Sequence, residues 1–404
     1  MPPTGPIEHV VVLMMENHSF DHMLGWLPGI GELNDSQSNQ DTNGISYPVT
    51  IGADYRTSPC PQHQLRNVNL QMFGTYDPAP DAAPTMTGFV EDYMAGLGQP
   101  NGDPYVLMGS YSPDQLPVLS VLAQTYTVCT RWFCSVPGPT GPNRIFANCA
   151  SSAGYAGPAY EVGTFPAEMS ALPSIFGVLA NAGYTWGVYH QDQDFAPELL
   201  LNDVQAQPDW IYADPTFSTF AAHAQSGALP TYAFLTPSLW QNSQHSPDDV
   251  RYGECTIADV YEAIVNSPSW ETTLLVVTYD EHGGFYDSVA PPTGVPNPDG
   301  RNWDGSCPPD YDYQPPSFTF DGLGPRVPAL LISPYAAAGV DATQYEHTSL
   351  VATMLELFGL SWPASNQRIP AVQTFTSAIG TTPRTGLPTT LRRPAASNLF
   401  TPPG

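Results

Sequence analysis

The sequence contains no lysine, and its 11 basic residues, all arginines, stand against 38 acidic residues. The formal net charge is therefore −27 at pH 7. A surface this acidic repels the phosphate backbone of nucleic acids, so we expect no nucleic-acid partner. The absence of lysine also excludes enzymes that use it as a Schiff-base former, a catalytic base or the phosphate-binding residue of a P-loop.

Cysteines are also few, and no signal for export or membrane insertion is present. The 6 cysteines include no C-x-x-C pair, which argues against zinc fingers and thioredoxin-like sites, although Cys129 and Cys134 are close enough in sequence to pair. No apolar run reaches the length of a membrane span, and no signal-peptide pattern precedes Ile7. We therefore expect no transmembrane segment and a cytoplasmic protein by default, or a secreted one if a leader was removed.

The composition is that of a globular α/β protein. Hydrophobic residues make up 42% of the chain, while 45 prolines and 34 glycines fall between apolar runs and indicate long ordered loops. Predicted strands such as Thr273 to Tyr279 alternate with predicted helices, a pattern typical of a mostly parallel sheet covered on both faces. We expect one domain over residues 1–404, with loop excursions at about 30–115 and 290–325.

Two predicted strands end in pairs of oxygen-bearing side chains. The apolar run from Ile7 to Met15 leads into Glu16 and Asn17, and the run from Thr273 to Tyr279 leads into Asp280 and Glu281. Such residues after a strand are often only turn formers or helix caps. However, ligands of open α/β sheets collect at the carboxyl ends of the strands, where these four side chains would meet. The sequence therefore predicts a metal site made of Glu16, Asn17, Asp280 and Glu281.

A candidate nucleophile lies in the segment from Pro137 to Arg144. Pro142 suits the first turn of a helix predicted for Ile145 to Ser151, which places Thr140 just before the amino end of that helix. Free N–H groups and the helix dipole favour an anion there, and a nearby cation would help to ionise the hydroxyl. The ordinary alternative is that Thr140 only caps the helix.

Three of the nine histidines are predicted to lie in loops at the same edge of the sheet, namely His63, His190 and His245. Imidazoles around a phosphoryl group can stabilise its oxygens or protonate a leaving oxygen. A single histidine at a strand end is more often structural. Three of them near four oxygen ligands are harder to explain as structural residues alone.

These blocks resemble the phosphoesterase family that contains non-haemolytic phospholipases C and acid phosphatase A type enzymes, within the alkaline-phosphatase-like superfamily. The blocks that carry the resemblance extend over most of the chain and are Glu8 to His22, Pro139 to Arg144, Gln244 to Pro247, Tyr279 to Asp287, and His347 to Ser349. The resemblance implies a three-layer α/β/α sandwich with an alkaline-phosphatase-like core and long loop insertions. Three positions depart from the family pattern: Cys60-Pro61-Gln62-His63 replaces an Asp-Pro-x-His run, His18 stands in place of arginine, and Ser288 in place of histidine.

The resemblance also implies roles for the residues singled out above. Glu16, Asn17, Asp280 and Glu281 would hold a divalent metal ion, and Thr140 would be the nucleophile. His63, His190 and His245 would bind phosphoryl oxygens and serve the leaving group. The implied mechanism is an in-line attack by the Thr140 oxygen, departure of the alcohol with a proton from a histidine such as His245, and hydrolysis of the phosphothreonine.

Three functions remain open at this point. The favoured one is a phospholipase C-like hydrolase of phosphodiesters such as phosphatidylcholine or another phospholipid, because the phospholipase branch has threonine at the nucleophile position. The second is an acid phosphatase-type phosphomonoesterase, and the third is a metal-stabilised, non-catalytic binding protein. Oxygen ligands suit Ca²⁺, Mg²⁺ or Mn²⁺, and the family leaves Zn²⁺ as a further choice.

Overall fold

The structure is a computed structural model that describes residues 5–96, 103–157, 165–192, 196–306 and 316–394. Its strands are β1 (His9–Met15), β2 (Ser38–Gln40), β3 (Ser46–Pro48), β4 (Thr50–Ile51), β5 (Gly109–Ser110), β6 (Thr127–Cys129), β7 (Trp132–Phe133), β8 (Trp186–His190), β9 (Ile211–Ala213), β10 (Tyr232–Thr236), β11 (Thr273–Tyr279), β12 (Ala329–Ile332), β13 (Gly339–Asp341) and β14 (Tyr345–Glu346).

Its helices are α1 (Phe20–Leu24), α2 (Leu65–Phe73), α3 (Phe89–Ala95), α4 (Pro104–Met108), α5 (Pro117–Thr125), α6 (Thr140–Cys149), α7 (Ala167–Ser170), α8 (Ile175–Asn181), α9 (Asn202–Gln205), α10 (Ser218–Ser226), α11 (Val250–Val265) and α12 (Thr348–Phe358). Among the helices in the described ranges, none combines the length and the apolar character that crossing a membrane requires.

An eight-stranded sheet in the order β13-β6-β12-β11-β1-β10-β8-β9 forms the centre of the molecule. Strand β1 pairs in parallel with both β10 and β11, and β8 pairs in parallel with β10. In contrast, β12 runs antiparallel to both of its neighbours. The residues of β11 are β-branched, aliphatic or aromatic and all are buried, as expected for a strand covered on both faces.

Two groups of helices cover the sheet. Helix α6 contacts both α8 and α12, and α11 contacts both α5 and α10. A continuous apolar core joins both groups to the sheet. This arrangement confirms the predicted α/β class with three layers around a mostly parallel sheet.

Two helices begin earlier than the sequence predicts. The sequence predicts a helix from Ile257 to Asn266, but helix α11 begins at Val250, because the Asp249 carboxylate caps it by accepting the N–H of Arg251. Helix α6 begins at Thr140 instead of Ile145, and it ends at Cys149, where Ala150 adopts a left-handed conformation with φ 54°. Thr140 is thus the first residue of the helix and does not precede it, which corrects the prediction.

The segment that was expected as the first loop excursion contains β2 to β5 and α2 to α4. It has a small apolar core of its own, which includes Val68, Met72, Phe89 and Tyr93 and packs against Phe285. Cys129 and Cys134 are buried thiols and form no disulfide with each other. The prediction of a single domain over the whole chain stays a prediction.

Candidate active site

The four neighbouring strands β11, β1, β10 and β8 bring most of the predicted site residues to one edge of the sheet. Met15 of β1 pairs with Tyr279 of β11, so that Glu16 and Asp280 leave the sheet side by side. On the other side of β1, Thr236 of β10 pairs with His190, the last residue of β8. The loop that follows β10 carries His245.

The turns after β1 and β11 are bound directly to each other. The N–H of Asn17 donates to Asp280 Oδ1 over 3.1 Å, and the N–H of His18 donates to the carbonyl oxygen of Glu281 over 3.1 Å. Gly283 makes this approach possible, since a Cβ there would lie 2.1 Å from the Asn17 carbonyl oxygen and its φ is +65°. The two predicted ligand pairs therefore belong to one buried cluster.

Thr140 points into this cluster. Its Oγ1 donates to Glu16 Oε2 over 3.2 Å, and the N-cap position of α6 is held by the preceding Pro139, which makes no side-chain capping hydrogen bond. The residue is nearly buried, with 4% of its surface exposed. As the first helical residue, Thr140 does not stand at the capping position, and its hydroxyl lies beside a carboxylate at the positive end of a helix dipole.

Arg144, one turn further along α6, lies beneath the carboxylates. Its Nε donates to Glu16 Oε1 over 3.0 Å, its Nη2 lies 2.7 Å from the same oxygen, and Asp280 Oδ2 is 3.6 Å from Nε. Burial raises the pKa of Glu16, although Arg144 opposes the shift. Burial and the neighbouring Glu16 raise the pKa of Asp280 well above its usual range.

The three predicted histidines share one hydrogen-bond pattern. The Nδ1 of His63 bonds the carbonyl oxygen of Pro61 at 3.2 Å, that of His190 the carbonyl of Asp192 at 3.1 Å, and that of His245 the carbonyl of Ser246 at 2.5 Å. A carbonyl can only accept, so each neutral ring carries its proton on Nδ1 and leaves Nε2 for other partners.

These rings are not all equally close to the cluster. His63 Nε2 lies 3.5 Å from Asn17 Nδ2 and 4.0 Å from Glu281 Oε1. The ring of His245 packs edge-on against that of His63, with 6.0 Å between centroids, and burial lowers the pKa of His245 to about 3. His190 is held at the end of β8 by the sheet itself, with 2% of its surface exposed.

Comparison with known proteins agrees with this arrangement, since residues 7–361 match the phosphoesterase family. The chain belongs to the phosphoesterase family. A non-specific phospholipase C of Arabidopsis thaliana is 35% identical over 96% of this chain and 75% of its own length. Phospholipase C A of Mycobacterium tuberculosis is 29% identical over 88% of this chain and 74% of its own length. This phosphoesterase is therefore a hydrolase that acts on phosphate ester bonds.

Among solved structures, a protein of the alkaline phosphatase superfamily from Vibrio parahaemolyticus is 14% identical and covers 75% of this phosphoesterase and 76% of its own chain, with a TM-score of 0.38. This likeness is too distant to support an argument about the fold, and the α/β/α architecture rests on the sheet and its covering helices described above.

Sequence reasoning missed several residues that this phosphoesterase places at or behind the site. Arg144 and His347 lie in recognisable sequence blocks but received no role; His347 Nε2 is 2.6 Å from the carbonyl oxygen of Asp280. Glu198 gave no sequence signal at all. It is fully buried after β8, accepts a hydrogen bond from the Thr236 hydroxyl, and interacts electrostatically with both Arg144 and His190.

The donor set has the chemistry that a hard divalent cation requires. Asn17 Oδ1 and Asp280 Oδ2 are buried and accept no hydrogen bond from any described residue. Glu16 instead turns its two oxygens to Arg144 and Thr140, and no three His, Cys, Asp or Glu side chains in the described ranges come together as a metal site by themselves. The Asn17 amide oxygen is therefore among the oxygens that this cluster could offer to a cation.

Proposed function

We propose that the chain is a metal-dependent hydrolase of phospholipase C type that acts through a phosphothreonine on Thr140. The observation that carries the proposal is the direction of the Thr140 hydroxyl, which donates to Glu16 from the first residue of α6. An oxygen in that place is aligned by a carboxylate at a helix start, whose free N–H groups stabilise a phosphoryl anion.

Glu16, Asn17, Asp280 and Glu281 would hold the cation, for which Ca²⁺, Mg²⁺, Mn²⁺ and Zn²⁺ remain the candidates. When bound, it would neutralise charge on the phosphoryl oxygens and favour ionisation of a nearby hydroxyl. It would also balance buried carboxylates whose pKa values are raised by burial, as they are for Glu16 and Asp280. These residues fit a cation better than they fit a purely structural cluster.

The residues of the chain perform the two steps as follows. The Thr140 hydroxyl first loses its proton to solvent, and its oxygen then attacks phosphorus. The bond from phosphorus to the alcohol breaks on the opposite face, and the alcohol leaves with a proton from a histidine Nε2. His245 is neutral in the free protein because burial lowers its pKa to about 3, so the bound phosphoryl anion must raise that pKa before the ring can donate. In the second step a neutral histidine takes a proton from the water that attacks the phosphothreonine, and the bond between phosphorus and the Thr140 oxygen breaks.

The proposed substrate is a phosphodiester with a neutral or zwitterionic head group, such as phosphatidylcholine. Two observations support it: the relatives are phospholipases C, and the net charge of −27 disfavours anionic membranes. The alternative is a phosphomonoesterase. Comparing the kcat/KM values for p-nitrophenyl phosphorylcholine and p-nitrophenyl phosphate decides between them, and a strong preference for the monoester would refute the diesterase.

The covalent step is tested with Thr140→Ala and Thr140→Ser. We expect Thr140→Ala to lower kcat by at least about 10³-fold, as loss of a nucleophile does elsewhere, while the thermal unfolding midpoint stays close to that of the parent. Thr140→Ser is the matched control and should keep measurable turnover. Acid quenching followed by mass spectrometry should find phosphate on the peptide that contains residue 140. Undiminished turnover by Thr140→Ala would rule out the intermediate.

The metal is tested by chelation. Treatment with a chelator should abolish turnover, and one of the four candidate ions should restore it. Elemental analysis of Asp280→Asn should show less bound metal than the parent protein, because the variant loses a charged oxygen ligand. Full activity after exhaustive chelation would contradict the proposed metal dependence.

A further inference from the structure

We propose that Gln71 is a positioning residue that holds His63 and His282 against the catalytic edge, and thereby sets the rate of the reaction proposed above, on which this inference rests. Gln71 lies on α2, in the segment between β1 and α5, and only 1% of its surface is exposed. It contacts neither Thr140 nor the candidate ligands through any hydrogen bond that the structure shows. Its effect on the reaction must therefore pass through its partners.

The three hydrogen bonds of the Gln71 amide fix its orientation. Nε2 lies 2.7 Å from the carbonyl oxygen of Gln62 and 2.7 Å from Asp92 Oδ2, and both of these atoms are acceptors. Both Nε2 hydrogens are thus used, and Oε1 must accept from His282 Nε2, which is 2.7 Å away. Every donor and acceptor direction in this network is determined.

The first partner, Gln62, places His63. On one side the Gln62 carbonyl receives the Gln71 hydrogen bond, and on the other it packs against Gly284, where a Cβ would come within 2.4 Å of the carbonyl oxygen. The next residue, His63, presents its Nε2 at 3.5 Å from Asn17 Nδ2. Loss of the Gln71 bond would free one side of the loop that fixes this distance.

The second partner, His282, follows Glu281 directly in the chain. Its Nδ1 lies 3.4 Å from Glu281 Oε2, the oxygen that also accepts the N–H of Gly283 over 2.7 Å. Because His282 is fully buried and its Nε2 is bonded to Gln71, the ring cannot turn without breaking that bond. Gln71 therefore restrains the two loops that face each other across the candidate site.

Asp92 gives the network its rigidity. Its Oδ1 accepts from Asn67 over 2.8 Å and its Oδ2 accepts from Gln71, so one carboxylate of α3 ties down two amides of α2. This pairing anchors α2 to α3, and these helices share the small apolar core that packs on Phe285. The position of His63 is thus set by a folded segment and not by a loose loop.

The test compares Gln71→Ala with Asn69→Ala. Asn69 is a matched control, since it lies on the same helix and is 7% exposed. Its amide nitrogen donates a hydrogen bond to the carbonyl oxygen of Tyr76 over 3.3 Å. We expect Gln71→Ala to lower kcat/KM by about 10- to 100-fold, the range typical of residues that orient active-site groups, and Asn69→Ala to change it by less than about twofold. Equal losses in the two variants would overturn the proposal.

A double-mutant cycle separates positioning from general destabilisation. In a His63→Ala background, Gln71→Ala should lower kcat/KM by less than about threefold, because part of its target is already absent. Its shift in unfolding midpoint should be the same in both backgrounds. A Gln71 effect on kcat/KM that is undiminished in the His63→Ala background would overturn the proposal.

Hydrogen exchange provides a readout that needs no turnover. We expect peptides covering residues 281–285 to exchange faster in Gln71→Ala than in the parent, and Asn69→Ala to leave them unchanged. If the parent hydrolyses no phosphate ester, the proposed function fails while faster exchange still supports the positioning of the loop. If the parent is active but exchange at 281–285 is unaltered, the positioning inference fails alone.

Discussion

At the scale of single residues, the site contains more buried carboxylates than buried cations. Arg144 faces Glu16 and Asp280 at close range and interacts electrostatically with Glu198, all of them buried. Ionised carboxylates in such a place are unfavourable unless cations balance them. Burial also raises the pKa of Glu198, which shows that its ionised form is unfavourable at this place. The excess of buried acid is a physical reason for the cluster to take up a metal ion.

His22 allows a prediction about pH. Its ring stacks on Phe285 with 3.9 Å between centroids, and burial lowers its pKa well below the ordinary value of 6.5. Below pH 6.5, His22 is protonated in the unfolded chain but stays neutral in the folded chain. The free energy of unfolding therefore decreases as the pH falls. We expect His22→Phe to reduce the pH dependence of the unfolding free energy by up to about 1.4 kcal/mol per pH unit below 6.5.

The measurement is urea unfolding of parent and variant at several pH values between 5 and 7.5, with about the same ionic strength throughout. The variant also loses the 2.9 Å contact between the Nδ1 atoms of His18 and His22, so its absolute stability changes too. The difference in slope is therefore the diagnostic quantity. Parallel curves for the two proteins would show that His22 does not couple folding to protons.

At the scale of elements, an ion cluster connects the loops after β1 and β11. Arg326 donates to Asp21 over 2.8 Å and to Asp287 over 2.9 Å, and all three side chains are at most 2% exposed. Its Nη1 also donates to the Thr130 carbonyl oxygen over 3.1 Å. The cluster fixes α1 relative to the turn that carries Gly283 and Gly284.

Replacing Arg326 by methionine should therefore destabilise the fold. The substitution leaves Asp21 and Asp287 buried without their cation, and we expect the free energy of unfolding to fall by about 3 to 5 kcal/mol. Arg393→Met is the matched control, since Arg393 also pairs with two carboxylates but is 38% exposed. Its loss should be at most about 1 kcal/mol. Similar losses in both variants, measured by denaturant unfolding, would contradict this role.

At the scale of the whole molecule, the net charge of −27 bears on the proposed phospholipid substrate, because it disfavours approach to anionic lipid surfaces. We expect turnover of phosphatidylcholine vesicles to fall when an anionic phospholipid is mixed in. Monovalent salt at about 0.15 M should recover part of the lost rate, because it screens charges more than about 8 Å apart. Vesicles of equal size and total lipid are the control. A rate that rises with the anionic fraction at low salt would show a local basic or lipid-specific site.

Much of the molecule could be predicted from local sequence. Strand β11 has the predicted bounds Thr273–Tyr279, and β1 begins two residues inside the apolar run from Ile7 to Met15. The sequence also predicts strands from Tyr184 to Tyr189 and from Tyr232 to Leu235, and the bounds of β8 and β10 differ from these by at most two residues. Such strands are recognisable because burial on both faces demands unbroken apolar runs. The helices were placed less well: α6 and α11 begin with residues such as Thr140, Pro142 and Arg251 that carry no apolar period, and their starts depend on caps and long-range bonds.

By itself, the sequence determined the order of strands and helices, the acidity of the surface and the blocks in which Glu16, Thr140 and Asp280 stand. Only the tertiary structure decided which atoms meet. The Thr140 hydroxyl points to Glu16, Arg144 lies beneath the carboxylates, and Glu198 and Gln71, which stand in no recognisable motif, bond to Thr236 and His282. The reason is physical. Local patterns reflect burial and backbone conformation along the chain, whereas hydrogen bonds between residues more than 100 positions apart depend on strand order and register, which those patterns do not encode.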